Sequence, residues 1–265
     1  MTLVIILIFL ALFWYLFRFA AHHIKKLRPI LSFLEKYTSF LHRWVVSAPA
    51  TFTYVAIFVA FTLVQRTSPD RLINVITRVN STNIATLTIR PLSALITSSF
   101  WVADGGVGLT IYVLAFISLI AWAERTYGTA RTIVIWIMGH VGGSLVTVAI
   151  ELWAIRTGLA ASTLAHTTDV GVSYVMAAGL AAAIWIMRGW HRPIAFLGMA
   201  ILLISPFFFG QAIWEGGHLY AFLLGLATAS ISLKFIPGRP VKTPLEELQA
   251  GKQPCQSTKD QSESH

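Results

Sequence analysis

The sequence predicts an all-α fold, a polytopic bundle of membrane-spanning helices. Three observations predict it. Hydrophobic residues make up 56% of the 265, and charged residues only 12%. A water-facing domain carries about 25% charged residues. The apolar residues fall in runs long enough to cross a hydrocarbon core, which needs about 17–25 residues as helix. Lipid leaves free backbone groups unsatisfied, so such runs are helical unless they alternate as barrel strands, and they do not alternate.

Residues 1–17 form the first apolar run. Arg18, His22, His23, Lys25, Lys26 and Arg28 follow it. A secretory signal carries its positive charge before the apolar stretch, so this order predicts a retained helix. Residues 29–46 mix Pro29, Glu35, Lys36 and Arg43 with apolar positions and read as an amphipathic helix on the membrane surface. A second span runs over residues 49–65, closed by Gln65 and Arg66.

Residues 66–106 are mixed, with Asn74, Asn80, Ser81, Thr82 and Asn83 breaking the periodicity. They read as a long loop with short interfacial helices, ending at Asp104-Gly105-Gly106. Phe100 and Trp101 suit a headgroup position. Five spans follow over residues 107–123, 132–154, 171–187, 193–209 and 217–233. Gly210 and Gln211 break the last two apart, and Lys234 stops the final one.

Alternating these seven spans sets residues 18–48, 124–131, 188–192 and 234–265 on one side. Those segments hold fifteen of the twenty Lys and Arg. The bias predicts a cell-membrane protein with its C-terminus in the cytoplasm. It also accounts for the net charge of +9 without a nucleic-acid partner. The expected organisation is an N-terminal helix and basic linker over 1–47, a six-helix membrane domain over 48–235, and a disordered tail over 236–265. The one cysteine, Cys255, lies in that tail and has no partner for a disulfide or a metal site. No cofactor is expected.

Polar groups inside such a bundle mark the places where chemistry can occur. Ser173 opens the 171–187 span in Asp169-Val-Gly-Val-Ser-Tyr174, and Gly171 leaves room for close backbone approach. Alone, such a serine bonds its own helix carbonyl. His218 opens the last span, with Ala221, Gly225 and Ala229 following on one small-residue face. Ala177, Ala178, Gly179, Ala181, Ala182 and Ala183 make the Ser173 helix small-faced too, and small faces let helices approach closely in lipid. A hydroxyl and an imidazole at matching depth on two close helices are the parts of a nucleophile–base pair.

Four weaker candidates remain. His140 sits mid-span beside Gly139, Gly142 and Gly143, and reads as a histidine bonded to a neighbouring helix. Glu151 reads as paired locally with Arg156, or snorkelling. Asp169 reads as a cap for the Ser173 helix. Glu215 reads as a loop residue.

Gly171-x-Ser173 with His218-x-x-Ala221-x-x-x-Gly225 resembles the catalytic helices of rhomboid proteases. Glu124-Arg-Thr-Tyr-Gly128 resembles that family's Glu-x-x-x-Gly turn. Thr82-Asn83, Ser99-Phe-Trp101, Gly139-His140-Val-Gly142 and Asp169–Tyr174 are similar to a divergent actinobacterial rhomboid-like branch. The resemblance covers about residues 48–235 and implies a rhomboid-like six-helix core plus one N-terminal transmembrane helix. It implies an intramembrane serine endopeptidase with Ser173 as nucleophile and His218 as base, acting on membrane-anchored proteins. Gly171, Tyr112 and Tyr174 would have oxyanion or supporting roles, while Gly179, Ala221 and Gly225 would serve helix packing.

The chain also departs from the family pattern. Tyr174 stands where glycine follows the serine. Gly108 and Tyr112 stand where the family has His and Asn. Ala177 stands where an aromatic stacks on the histidine. A catalytically inactive relative that binds client transmembrane segments therefore remains a second function. A small transporter is a third, for which neither a buried charge pair nor an inverted repeat is found.

Overall fold

The structure is a computed structural model and describes residues 2–24, 27–102, 107–208 and 215–241. Lys25, Lys26, Asp104-Gly105-Gly106, Gly210, Gln211, Cys255 and the tail beyond 241 lie outside the described residues, as do the side chains of His22 and Glu215. Helices make up most of the described residues, with no strand among them. Contacts divide the chain into two units, one ending at Ser47 and the other spanning Ala48–Val241.

The first unit holds α1 (Thr2–His23) and α2 (Arg28–Val46). Pro29 sits in the first turn of α2, where its missing N–H costs nothing. Arg18 and Glu35 pair across the two helices at 3.7 Å.

The second unit begins with α3 (Pro49–Thr67). The expected loop holds three short helices, α4 (Asp70–Val79), α5 (Ile84–Ile89) and α6 (Pro91–Ser98). Asn83 caps α5 by accepting from the Thr86 N–H at 2.8 Å. Next come α7 (Val107–Ala115), a π-helical turn over Phe116–Ile120, and α8 (Ala121–Tyr127). The bundle is completed by α9 (Thr129–Arg156), α10 (Val172–Ile186), α11 (His191–Phe208) and α12 (Glu215–Phe235).

Four stretches are long and apolar enough on their own to cross a membrane: Pro49–Thr67, Gly108–Tyr127, Thr129–Arg156 and Gly216–Phe235. The apolar helix α10 is shorter. The expected 171–187 span is a helix of 15 residues, Val172–Ile186, with Gly171 and Met187 as its caps, about 22 Å long at 1.5 Å per residue.

Small residues decide the packing at the centre. Ala178 of α10 is sandwiched between two glycines. A β-carbon on Gly139 of α9 would lie 2.3 Å from the Ala178 Cβ, and one on Gly225 of α12 would lie 2.5 Å from the Ala178 Cα. Gly143 faces Ala221 in the same way, at 3.2 Å from its Cα. Close backbone approach supplies the dispersion that lipid-embedded helices use in place of the hydrophobic effect. Gly179 serves packing on another side, against Ile120 of the π-helical turn.

An aromatic cluster lies beside this knot. Tyr54, Phe58, Phe116 and Trp136 pack with Val172 and Val175 of α10. Phe100 packs against this cluster. Trp101 is 5% exposed, with its ring edge-on to Phe61 at 5.5 Å.

The Glu124-to-Gly128 turn has a structural task. The Glu124 carboxylate accepts from the backbone N–H groups of Ala50 at 3.0 Å and Thr51 at 2.8 Å. It also accepts from the Thr129 hydroxyl at 2.8 Å. It therefore caps α3 from 74 residues away, where the orphan donors of a helix start favour an anion. Gly128 takes φ 83° to end α8, a conformation that favours glycine. Residues 236–241, expected as part of the tail, are tied to this turn. The Arg239 N–H donates to the Thr126 carbonyl at 2.9 Å, and Arg131 Nη1 donates to the Ile236 carbonyl at 2.7 Å.

Candidate active site

Ser173 sits in the first turn of α10 and His218 in the first turn of α12. The knot around Ala178 holds these two helices together. The Ser173 Oγ and His218 Nε2 are 2.8 Å apart, in hydrogen-bond contact. Both side chains are half-buried, so the pair is screened but reachable. Ser173 thus meets an imidazole from another helix, in place of the local carbonyl bond that a lone helical serine makes.

Tyr174 is fully buried beneath the pair. Its ring lies 5.0 Å from that of His218, tilted by 37°. The resemblance implied an aromatic at position 177; here the ring against the histidine comes from the residue next to the serine. The Tyr174 hydroxyl donates to the Asp169 Oδ2 at 3.1 Å. Gly217 makes room for it, since a β-carbon there would lie 1.9 Å from the Tyr174 oxygen and 2.7 Å from the Thr147 hydroxyl.

The loop entering α10 is fixed from the far side. The Asp169 carbonyl accepts from the Thr82 N–H and the Ser81 hydroxyl, both at 2.9 Å. The Asp169 carboxylate accepts from the Thr82 hydroxyl at 3.0 Å. The Gly171 N–H donates to the Ser98 carbonyl at 2.9 Å. Gly171 itself is the N-cap of α10. Asp169 lies two residues earlier and binds the side chain of Tyr174 in the first turn, a different task from the expected cap.

His140 is buried and bonded to a neighbouring element, α6. Its Nε2 lies 2.8 Å from the Leu95 carbonyl, to which it donates, and 3.2 Å from the Ser98 hydroxyl. Its ring fills the space beside Gly171, where a β-carbon would lie 2.0 Å from the imidazole Cε1. Glu151 is buried, and its expected pairing with Arg156 is absent among the described residues. Tyr112 packs against the aromatic cluster with Val113 and Leu109. No group of three or more His, Cys, Asp or Glu side chains suited to a metal occurs among the described residues.

Ser81, Ser98 and Leu95 are the contributors that sequence reasoning missed. Each is remote in sequence from what it holds, and each looks like an ordinary loop or helix-end residue. Only the polar pair Ser81-Thr82 in an otherwise apolar protein was a usable signal.

A helical membrane bundle with a serine–histidine contact between two closely packed helices is the class that these features define. The chain matches the family of rhomboid-like proteins over residues 43–234, and it belongs to that family. No curated protein and no solved structure matches it.

Proposed function

We propose that this multi-pass rhomboid-like protein is an intramembrane serine endopeptidase whose substrates are membrane-anchored proteins. The observation that carries the reading is the 2.8 Å contact between Ser173 Oγ and His218 Nε2. It falls within the 2.6–3.2 Å that a general base needs.

In this reading His218 takes the Ser173 proton as Oγ attacks the scissile carbonyl. It then returns that proton to the leaving amine, and water releases the acyl group by the same route in reverse. The oxyanion would meet the open backbone N–H groups of the first turn of α10, at the positive end of the helix dipole. Those amides take the part that the family gives to residues at the places of Gly108 and Tyr112. Tyr174 and Gly171 support the site by holding His218 and His140 in place. The proposed orientation sets the C-terminus in the cytoplasm and the pair toward the outer leaflet.

A second reading, a non-catalytic binder of client transmembrane segments, is favoured by one observation. Tyr112 is packed in the aromatic cluster, and Gly108 offers no side chain to an oxyanion.

A fluorophosphonate probe applied to the purified chain in bilayers separates the two. Labelling of the unmodified protein that is lost in Ser173→Ala and strongly reduced in His218→Ala is the expected result. Absence of labelling in the unmodified protein, with folding intact, overturns the endopeptidase and leaves the binder.

A further inference from the structure

At the end of α12 remote from His218 lies a cavity of about 350 Å3. Tyr127, Gly128, Arg131, Ile236, Pro237 and Arg239 are in its lining, and no acidic side chain is. Both walls are anchored. The Arg131 guanidinium donates through Nε to the Tyr127 carbonyl and through Nη1 to the Ile236 carbonyl. The Arg239 backbone N–H donates to the Thr126 carbonyl at 2.9 Å. The Arg239 guanidinium lies against Gly128, where a β-carbon would be 3.7 Å from Nη2. Neither guanidinium has an ion pair among the described residues. The acid behind this wall, Glu124, is buried and committed to Ala50, Thr51 and Thr129. Two cations therefore line one cavity without a carboxylate beside them.

We propose that this cavity binds the phosphate of a negatively charged phosphate ester. A guanidinium presents a planar fork of donors that matches phosphate oxygens. Arg131 uses Nε and Nη1 to hold the chain and keeps Nη2 for a ligand, while Arg239 is exposed at the rim. The volume falls within the roughly 300–1,000 Å3 of small-molecule sites. Three apolar spans, Gly108–Tyr127, Thr129–Arg156 and Gly216–Phe235, have an end at this cavity. The ends of spans lie at the level of lipid headgroups, where basic pockets between membrane helices take anionic ones. A choline headgroup fits poorly. The lining offers its ammonium no carboxylate, and the Tyr127 ring already carries the Arg131 guanidinium, 6.0 Å from the ring centroid.

The test is native mass spectrometry of the full chain, released from micelles that contain equal amounts of phosphatidylglycerol and phosphatidylcholine. The unmodified chain should retain one phosphatidylglycerol in preference to phosphatidylcholine. Arg239→Gln should weaken that binding about ten-fold or more, the effect of losing hydrogen bonds to a charged group. Arg131→Gln should weaken it too, but it also breaks two bonds to the backbone. The exposed Arg239 therefore carries the test, because its side chain supports no other part of the fold. Glycerol phosphate added to the same micelles separates the sources. Displacement of the lipid assigns the site to a soluble ester, and retention of the lipid assigns it to a headgroup; both uphold the site. Unchanged binding of both compounds in Arg239→Gln overturns the proposal. So does equal retention of the two lipids together with no binding of glycerol phosphate. Retention of phosphatidylglycerol only when Glu246→Gln and Glu247→Gln are combined also overturns it, because the chain's own carboxylates then fill the cavity.

Discussion

The His140 imidazole occupies the space where a side chain at Gly171 would begin. A β-carbon there would lie 2.0 Å from His140 Cε1 and 2.4 Å from Nδ1. The ring cannot swing away cheaply, because its Nε2 is held by the Leu95 carbonyl and the Ser98 hydroxyl. Gly171→Ala should therefore lower stability by about 1–3 kcal/mol, the range for overpacking a filled site. It should also displace the loop that sets Ser173. Unfolding in mixed micelles, compared with a Gly198→Ala control where the β-carbon meets open space, checks this. Equal midpoints would remove the steric argument.

Tyr174 joins two tasks that substitution can separate. Tyr174→Phe keeps the ring against His218 and loses the bond to Asp169. A hydrogen bond to a charged group is worth about 1.5–3 kcal/mol, and the loss should fall near the lower end. Tyr174→Ala leaves a cavity as well, at about 3–5 kcal/mol. The ring current of Tyr174 on the His218 ring protons should persist in the Phe variant and vanish in the Ala variant. Proton shifts of His218 that are the same in all three proteins would show that the rings do not meet.

The glycine at 225 touches backbone rather than a flexible side chain. An added β-carbon would lie 2.5 Å from the Ala178 Cα and 2.9 Å from its carbonyl oxygen. Gly225→Ala should force α10 and α12 apart and lengthen the Ser173–His218 contact. The expected readout is a longer distance between spin labels on the two helices, with stability reduced by about 1–3 kcal/mol. An unchanged distance would mean that the helices relax elsewhere.

Glu124 closes the start of α3 with three accepted hydrogen bonds. Glu124→Ala leaves buried donors open and should cost about 3 kcal/mol. Glu124→Gln keeps one carbonyl acceptor and should cost roughly half as much. Amide hydrogen exchange at Ala50 and Thr51 should accelerate in both variants, more in the alanine one. Unchanged exchange would assign the protection to some other partner.

What the sequence revealed depended on how local each signal was. The spans around Ser173 and His218 were legible because small residues, glycines and polar breaks mark them at short spacing. The π-helical turn over Phe116–Ile120 left no mark, since a backbone register shift needs no special residue. Residue type suggests the membrane interface for Trp101 but does not show that Phe61 on α3 covers its ring. The Thr82 contact with Asp169 spans 87 positions, and nothing in either local segment names the other. The Ala177 position was read correctly as lacking a ring; that the neighbour of the serine supplies one could be seen only in three dimensions.

The bond between Glu124 and the opening of α3 also has a meaning for biosynthesis. When the ribosome has delivered only α3 to the membrane, the amides of Ala50 and Thr51 have no carboxylate to meet. Their partner arrives 74 residues later, after the three short helices α4, α5 and α6. The first helix of the domain is thus finished by its middle, and a nascent chain cut short before residue 124 carries an unfinished beginning, with two helix-start amides left open.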